Sequence, residues 1–459
     1  MRRLVVLRAQ ANYYRHRLHL RLTAWLRRPR SLDERNALHL YGDIAWFGIA
    51  NGILGTFTSV FAIRLGASET LIGLLSALPA LINIVWQVPA ARLVERQAKL
   101  RPITVASLLA TRLVYLIIAI MPFILVRYRA EAFVTLIVLG TLPGALAGVA
   151  FTSLFAEATP PDKRAHINSV RNMLLSLMGM LSVMVAGRLL DIIAFPYNYQ
   201  IFFAVAFAAS MVSLWHVRHI TPLRERTPAA PAQDAAAVSL RGRLRASWQG
   251  IRAERGFANF VLASFVLSWG MNFPMALYGL YRVRDLGASD TFLGLLATVS
   301  GAVQTVAYLA WGPVVKKRGP RRVLLANVLG LCTFPLLTGL TTTVEPLLLV
   351  GIVGGIFSAG YSLGNFGSLL EVTPADRMPT YVATYNTILN VSAFVAPLLG
   401  TTTAGLIGAR YALILAGFLR LIGFIVMSRL EFGHSYTGPS LVARARRWLD
   451  ARVPRLRHR

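Results

Sequence analysis

The sequence predicts an all-α membrane protein whose twelve transmembrane helices form two pseudo-symmetric six-helix bundles. Three observations carry that expectation. The 459 residues are 55% hydrophobic and only 15% charged, where a soluble domain carries about a quarter, and the mean hydropathy is +0.56. Nine uncharged stretches reach the length that crosses a bilayer, about 20 residues. The phrase LGASETLIGLL at 65–75 returns as LGASDTFLGLL at 286–296, identical at eight of eleven positions.

Taken in order, residues 1–38 form a basic arm. Within it, Ser31-Leu-Asp-Glu34 has the spacing of a capping box, Ser at the N-cap and Glu at N3, and starts the first membrane helix. An N-terminal bundle at 39–220 holds spans Ile44–Ile63, Thr70–Ala91, 102–126, Ala132–Ala156, 165–189 and Ile192–Trp215. Residues 221–257 are a cytoplasmic linker, Pro/Ala-rich to 238 and then a basic interfacial helix. A C-terminal bundle at 258–430 follows, with spans Gly256–Tyr281, Thr291–Val315, Val323–Val344, Pro346–Leu370, Met378–Ala409 and 409–430. Residues 431–459 are a basic cytoplasmic tail. Three spans carry one interior arginine each, Arg112, Arg171 and Arg420; Arg112 and Arg420 read as lying near span ends, with no assigned role.

The net charge of +29 is distributed as a membrane protein distributes it. With the N-terminus cytoplasmic, the inside segments hold 38 of the 48 Lys and Arg, and the outside loops hold seven. That asymmetry follows the positive-inside rule and places both termini in the cytoplasm of a multi-pass cell-membrane protein. The basic ends, with Tyr13, Tyr14, Trp25 and Trp448, fit an anionic leaflet rather than nucleic acid. The lone Cys332 excludes an intramolecular disulfide. MRRLVVLRAQ has too short an apolar run for a signal peptide. No Walker loop, Cys/His cluster or nucleophile elbow occurs. The expectation is therefore a monomer with no cofactor, no metal site and no catalytic residues.

The repeat extends well beyond its most visible phrase. At an offset of 221, Asn51 falls on Asn272, and Asp43 on Ser264; at 214, EATPPDKR (157–164) falls on EVTPADRM (371–378). The copies are separated by an even number of spans, so they share one orientation, as in a parallel-repeat transporter. The phrase itself predicts a tight outside hairpin. Gly66 and Gly287 end the incoming helix in the left-handed region. Ser68 and Ser289 cap the next helix, and Glu69 and Asp290 sit on its N-terminal dipole.

Polar residues inside a bilayer are costly and face protein or water. Span 1 carries Asp43, Asn51 and Thr58 on a narrow arc, and span 7 carries Ser264, Ser268 and Asn272. Span 10 places Ser358, Tyr361, Ser362 and Asn365 at i, i+3, i+4 and i+7. Each has two readings, solute contact or a bond between helices. Trp269 and Pro274 flank Asn272, and Pro274 is placed to break the helix. Asp43 is the candidate proton-coupling group, with His39 one turn earlier, against the alternative of an ordinary interfacial acid. Arg171 either binds an anion or snorkels to the surface. The Gly-xxx-Gly runs at Gly140–Gly148, Gly351–Gly355 and Gly360–Gly364 read as helix-packing faces.

The segments after spans 2 and 8 resemble the signature loop of the major facilitator superfamily (MFS), G-x-x-x-D-[RK]-x-G-x-[RK]-[RK]. The second copy has Gly312, Lys317, Gly319, Arg321 and Arg322 in place, with Lys316 where the family has an acid. The first keeps Glu95 and Arg96 but lacks both glycines and one base. The resemblance implies a cavity lined by spans 1, 4, 7 and 10, which makes Asp43, Asn51, Thr58, Ser264, Ser268, Trp269, Asn272, Ser358, Tyr361 and Asn365 its candidate lining. It also implies a cytoplasmic gate in which Glu95 meets Arg377 at the start of span 11; Lys316 breaks the symmetry of such a gate. The proline-containing motif of proton-coupled drug exporters is absent from span 5. The implied function is secondary active transport of a small organic solute, with proton coupling through Asp43 as a further expectation. The alternative is a non-transporting protein on the same scaffold: a receptor, lipid scrambler or membrane enzyme.

Overall fold

Within a bilayer every backbone N–H and C=O must be satisfied inside its own segment, so the apolar runs fold as helices. A computed structural model describes residues 31–125, 127–223, 254–373 and 378–433. Its first half contains α1 (Leu32–Arg64), α2 (Glu69–Glu95), α3 (Leu100–Ile124), α4 (Arg129–Ala158), α5 (Arg164–Ile192) and α6 (Tyr197–Arg218). The second contains α7 (Arg255–Asp285), α8 (Asp290–Arg318), α9 (Pro320–Leu340), α10 (Pro346–Val372), α11 (Met378–Ile407) and α12 (Ala409–Arg429). All twelve are long and apolar enough to cross a membrane. Most run past the limits that hydropathy sets, because their end turns carry charged residues such as Asp33, Glu34 and Lys316.

The packing repeats between halves. α1 packs on α5 and α6, and α7 on α11 and α12; α3 packs on α4 and α6, and α9 on α10 and α12. Trp86 of α2 donates Nε1–H to the Leu142 carbonyl of α4, and Trp311 of α8 does the same to Ile356 of α10, each at 3.0 Å. The halves meet through α2 against α11 and α5 against α8. At the second contact Gly187 and Gly294 bring two backbones together, and a Cβ on Gly187 would stand 2.7 Å from the Asp290 carbonyl.

Both turns at 65–68 and 286–289 lie at one end of the molecule, the hairpin end; the turn at 96–99 and Gly319 lie at the other, the arm end. Gly66 has φ 85° and Gly287 φ 62°. Around Gly66, Gly66 N–H bonds Ile63 O and Ala67 N–H bonds Ala62 O, a Schellman ending. Ser68 Oγ accepts from Leu71 N–H at 3.2 Å and Ser289 Oγ from Phe292 N–H at 3.1 Å, as the hairpin reading requires. The second copy differs in its approach, because α7 breaks at Phe273–Pro274 and ends as a π-turn over Tyr281–Asp285. Ser31 corrects the capping-box expectation. It occupies the N-cap of α1 with an extended backbone, but its side chain makes no capping bond; Asp33 turns instead to Lys163, 2.6 Å away.

The apolar core is divided unevenly. At the hairpin end one cluster draws on both halves, with Phe57, Phe61, Phe133 and Tyr199 packed in the same mass as Leu277, Leu280, Ala396 and Leu413. Among the described residues the arm end holds two clusters. One, with Leu40, Leu100 and Leu154, belongs to the first half; the other, with Phe257, Leu324 and Tyr385, belongs to the second.

Candidate functional site

The hydrogen bonds made by the described candidate residues lie within one half or the other. In the first half, Asp43 is 5% exposed and faces α5 and α6 within its own bundle. Its Oδ1 accepts from Ser213 Oγ at 2.6 Å, and its Oδ2 stands 3.3 Å from Arg171 Nη1. Arg171 also donates to the Leu40 carbonyl at 3.1 Å and lies over the Phe151 ring of α4. It does not snorkel. Arg112 donates Nη2–H to Ser213 Oγ at 2.8 Å, so α1, α3, α5 and α6 are joined by two guanidinium groups and one carboxylate. Burying ions is tolerated in such arrangements because each charge is paired or hydrogen-bonded. His39 Nδ1 lies 3.2 Å from His216 Nδ1, and its ring stacks on His219.

Arg112 and Arg420 correct the expectation that they lie near span ends. Arg112 is at the middle of α3 and Arg420 at the middle of α12, and both are buried. Arg420 donates Nε–H to Gly270 O at 3.0 Å, Nη1–H to Leu331 O at 2.8 Å and Nη2–H to Tyr278 Oη at 3.1 Å. Those two carbonyls have a common cause. Their helical donors would be residues 274 and 335, both prolines, which have no N–H. One arginine thus satisfies the orphan acceptors of the α7 break and of the kink-prone turn in α9.

The other candidates divide by exposure. Asn51 is exposed, and Thr58, Trp269, Ser358, Tyr361 and Asn365 are half-buried. Ser264 and Ser268 are buried. Ser268 Oγ and Ser392 Oγ of α11 share a hydrogen bond at 2.5 Å, and Asn272 Nδ2 donates to the same Ser392 oxygen at 3.0 Å. Asn365 Oδ1 accepts from Tyr385 Oη–H at 3.2 Å. At the arm end Glu95, Arg96, Lys316, Lys317 and Arg322 are exposed, while Gly312, Gly319 and Arg321 are half-buried. Arg321 donates to Leu430 O at 2.9 Å. Arg377 lies outside the described residues. On the same side, the Asp33 carboxylate beside Lys163 holds that ammonium above the usual lysine range.

Sequence reasoning missed the residues that join the halves. Arg64 of α1 donates Nε–H and Nη2–H to Asp290 Oδ1 of α8, at 3.2 and 3.0 Å, and Tyr199 of α6 donates Oη–H to the same oxygen at 2.9 Å. Asp191 of α5 accepts from the backbone N–H of Asp290 at 2.9 Å and of Thr291 at 2.7 Å. Arg284 of α7 donates to the Ala67 carbonyl. A cavity of about 620 Å³ at the hairpin end is lined by Arg64, Asp191, Asn198, Arg284 and Asp290 over an apolar floor. The available signal was the pair of opposite charges, Arg64 and Asp290, bracketing the repeated phrase in opposite copies.

The profile of the Major Facilitator Superfamily matches residues 44–281 and 260–455. An uncharacterised MFS-type transporter of Methanocaldococcus jannaschii is 22% identical over 165 residues, which span 36% of this chain and 42% of that protein. Among solved structures, a bacterial homologue of the human lysosomal transporter Spinster superposes with a TM-score of 0.64 at 12% identity, covering 87% of this chain and 98% of that one. The nucleoside transporter NupG gives 0.63 at 12% identity, over 87% of this chain and 100% of its own. A D-xylose-proton symporter gives 0.64 at 14% identity, over 90% and 100%. At these identities the likeness is one of fold.

Proposed function

Because this chain belongs to the Major Facilitator Superfamily, we propose that it is a secondary active transporter that moves a small organic solute by alternating access between its two six-helix halves. The observation that carries this is the uneven core: one apolar cluster shared by both halves at the hairpin end, two separate clusters at the arm end. Two bundles whose apolar cores merge at one end and stay separate at the other suit a rocking motion of one half against the other. The inter-half bonds at the hairpin end are polar and reversible, as a gate requires. The superposable transporters of a nucleoside and of D-xylose support a small organic solute as the cargo class.

The arm end is the cytoplasmic side of a cell membrane in this reading, supported by the Lys and Arg of its described turns, such as Arg96, Lys99, Lys163, Lys316 and Arg322, and by the share of 38 of the 48 Lys and Arg that the sequence assigns to inside segments. The bundles are 39–220 and 258–430, joined by the linker at 221–257, in a protein that acts as a monomer with its basic ends on an anionic leaflet. The cavity lining is Asn51, Thr58, Trp269, Asn272, Ser358, Tyr361 and Asn365, with Ser264 and Ser268 behind it. Glu95 and the Lys316–Arg322 loop form the arm-end gate. Asp43, with His39, is the candidate proton carrier, held beside Arg171 until a proton neutralises it.

A ligand-panel thermal-shift screen on purified protein, followed by flux measurement in proteoliposomes with each hit, tests the transport reading. Saturable flux of a stabilising ligand is expected. Absence of flux for every stabilising ligand moves the assignment to a receptor, and lipid movement without solute flux moves it to a scrambler. Unchanged pH-gradient-driven uptake in Asp43→Asn removes the coupling role of Asp43.

A further inference from the structure

We propose that the solute is an uncharged molecule rich in hydroxyl or amide groups, held by six carboxamide side chains on the four helices that join the halves. They are Asn83 and Gln87 of α2, Asn172 of α5, Gln304 of α8, and Asn386 and Asn390 of α11. The proposal rests on the transport reading and gives its solute a chemical class.

These residues obey the internal repeat: Asn83 falls on Gln304 at the first offset and Asn172 on Asn386 at the second. Asn83 and Gln304 lie about four turns from the hairpin end of their helices, Asn172 and Asn386 about two turns from the arm end. Because α2 pairs with α11 and α5 with α8, each seam carries carboxamides from both halves. Helix contacts fix where they point, since a helix turns about 100° per residue. On α5, Asn172 falls in the narrower arc between Gly187, which faces α8, and Gly179, which faces α1. On α8, Gln304 falls between Gly294, which faces α5, and Ser300, which meets Gly351 of α10. On α2, Asn83 and Gln87 fall between Gly73, which meets Thr401 of α11, and Trp86, which bonds α4. On α11, Asn386 and Asn390 fall between Thr401 and Gly400, which meets Phe273 of α7. Each arc runs from the opposite half to a neighbour in the same half, so all six point into the boundary between the halves and away from lipid.

All six are exposed or half-buried, and among the described residues their side chains have no hydrogen-bond partner. A carboxamide inside a span needs water or a ligand there. The charges decide which ligand. Asp43, Arg112, Arg171 and Arg420 are engaged in bonds within their own halves, and Arg282 in the last turn of α7 lies over the Tyr278 ring. Residues 70–88, 291–315 and 384–406 contain no Asp, Glu, Lys or Arg. A charged solute between the seams would lack a counter-charge, which is costly away from bulk water. A carboxamide offers one carbonyl acceptor and two N–H donors, which suits groups that both donate and accept, as hydroxyls and amides do.

Matched probes that differ in charge test this by equilibrium binding to the purified protein. The sets are propane-1,2-diol with lactate and 1-amino-2-propanol, D-glucose with D-glucuronate and D-glucosamine, and uridine with its 5′-monophosphate and its 5′-amino-5′-deoxy analogue. In at least one set the neutral member is expected to bind about tenfold or more tighter than both charged members. Asn172→Ala and Asn386→Ala are each expected to weaken that binding about fivefold or more, with the unfolding midpoint of the ligand-free protein unchanged. Asn386→Asp is expected to strengthen binding of the amine in the same set about tenfold. Binding by charged members alone, no binding by any neutral member, or unchanged affinity in both alanine variants overturns the proposal. Flux separates it from the transport reading. Saturable flux of a charged solute keeps transport and removes this assignment, whereas neutral binding without flux keeps the site and removes transport.

Discussion

Arg64 and Asp290 meet at 3.0 Å across the boundary between the two halves, 226 residues apart in sequence. Any motion that parts the halves at the hairpin end must break this pair. Asp290 is almost wholly buried, whereas Arg64 keeps about a third of its side chain exposed, so the pair is intermediate between a screened surface bridge and a desolvated one.

Arg64→Gln is expected to weaken the closed hairpin end by about 1–2 kcal/mol, between surface and buried values. Amide hydrogen exchange at residues 62–67 and 288–292 should quicken roughly five- to thirtyfold, while exchange in the middle of α3 stays at the parent rate.

Removing Asp43 leaves Arg171 and Arg112 facing each other's charge inside the first half. Asp43→Asn is expected to destabilise the protein by about 3 kcal/mol, seen as a lower thermal unfolding midpoint. Adding Arg171→Gln should recover part of that loss, because the uncompensated cation goes with it. A double variant as unstable as the sum of the singles would contradict the pairing.

Arg420→Met removes the donors from Gly270 O and Leu331 O, and a cost of about 2–4 kcal/mol is expected for two buried acceptors left bare. Pro335→Ala supplies a backbone N–H to Leu331 O. The same arginine substitution made in that background should therefore cost about 1 kcal/mol less, as measured by chemical denaturation of both pairs.

Gly187→Val inserts a branched side chain where the α5 and α8 backbones touch. Overpacking of this kind costs about 1–3 kcal/mol, and here it falls on the closed hairpin end alone. Labelling of a cysteine placed at Asn198 on the cavity wall should rise in that variant and remain low in Gly148→Val, where a Cβ meets open space.

The helices and their pairing were legible in the sequence because uncharged runs and a repeated phrase are local signals. Gly66, Ser68, Gly287 and Ser289 are legible for the same reason, since each acts on its own turn. Arg112 and Arg420 were misplaced although the expected spans 102–126 and 409–430 nearly coincide with α3 and α12; each arginine already lay midway along its span, and what was missing was its partners on other helices. The role of Arg420 depends on Pro274 and Pro335 lying on two other helices, and no spacing in the chain relates them. Asp290 was legible only as a helix-dipole residue; its meeting with Arg64 and Tyr199 exists only once the halves are docked.

The N-terminus of α8 is completed by Asp191, a residue of the other bundle. An intact first turn of α8 is therefore a property of the docked pair and not of the second bundle alone. When the mouth parts, two backbone N–H groups lose a carboxylate acceptor, and charge-assisted bonds of this kind contribute about 1.5–3 kcal/mol each. These bonds weight the empty protein toward the closed hairpin end seen here. A solute arriving from that side meets a minor conformer, and its apparent affinity falls by the fraction of time the mouth stands open. A solute reaching the site from the other side does not have to break these bonds, so the two faces of one site are unequal in strength before any gradient is applied.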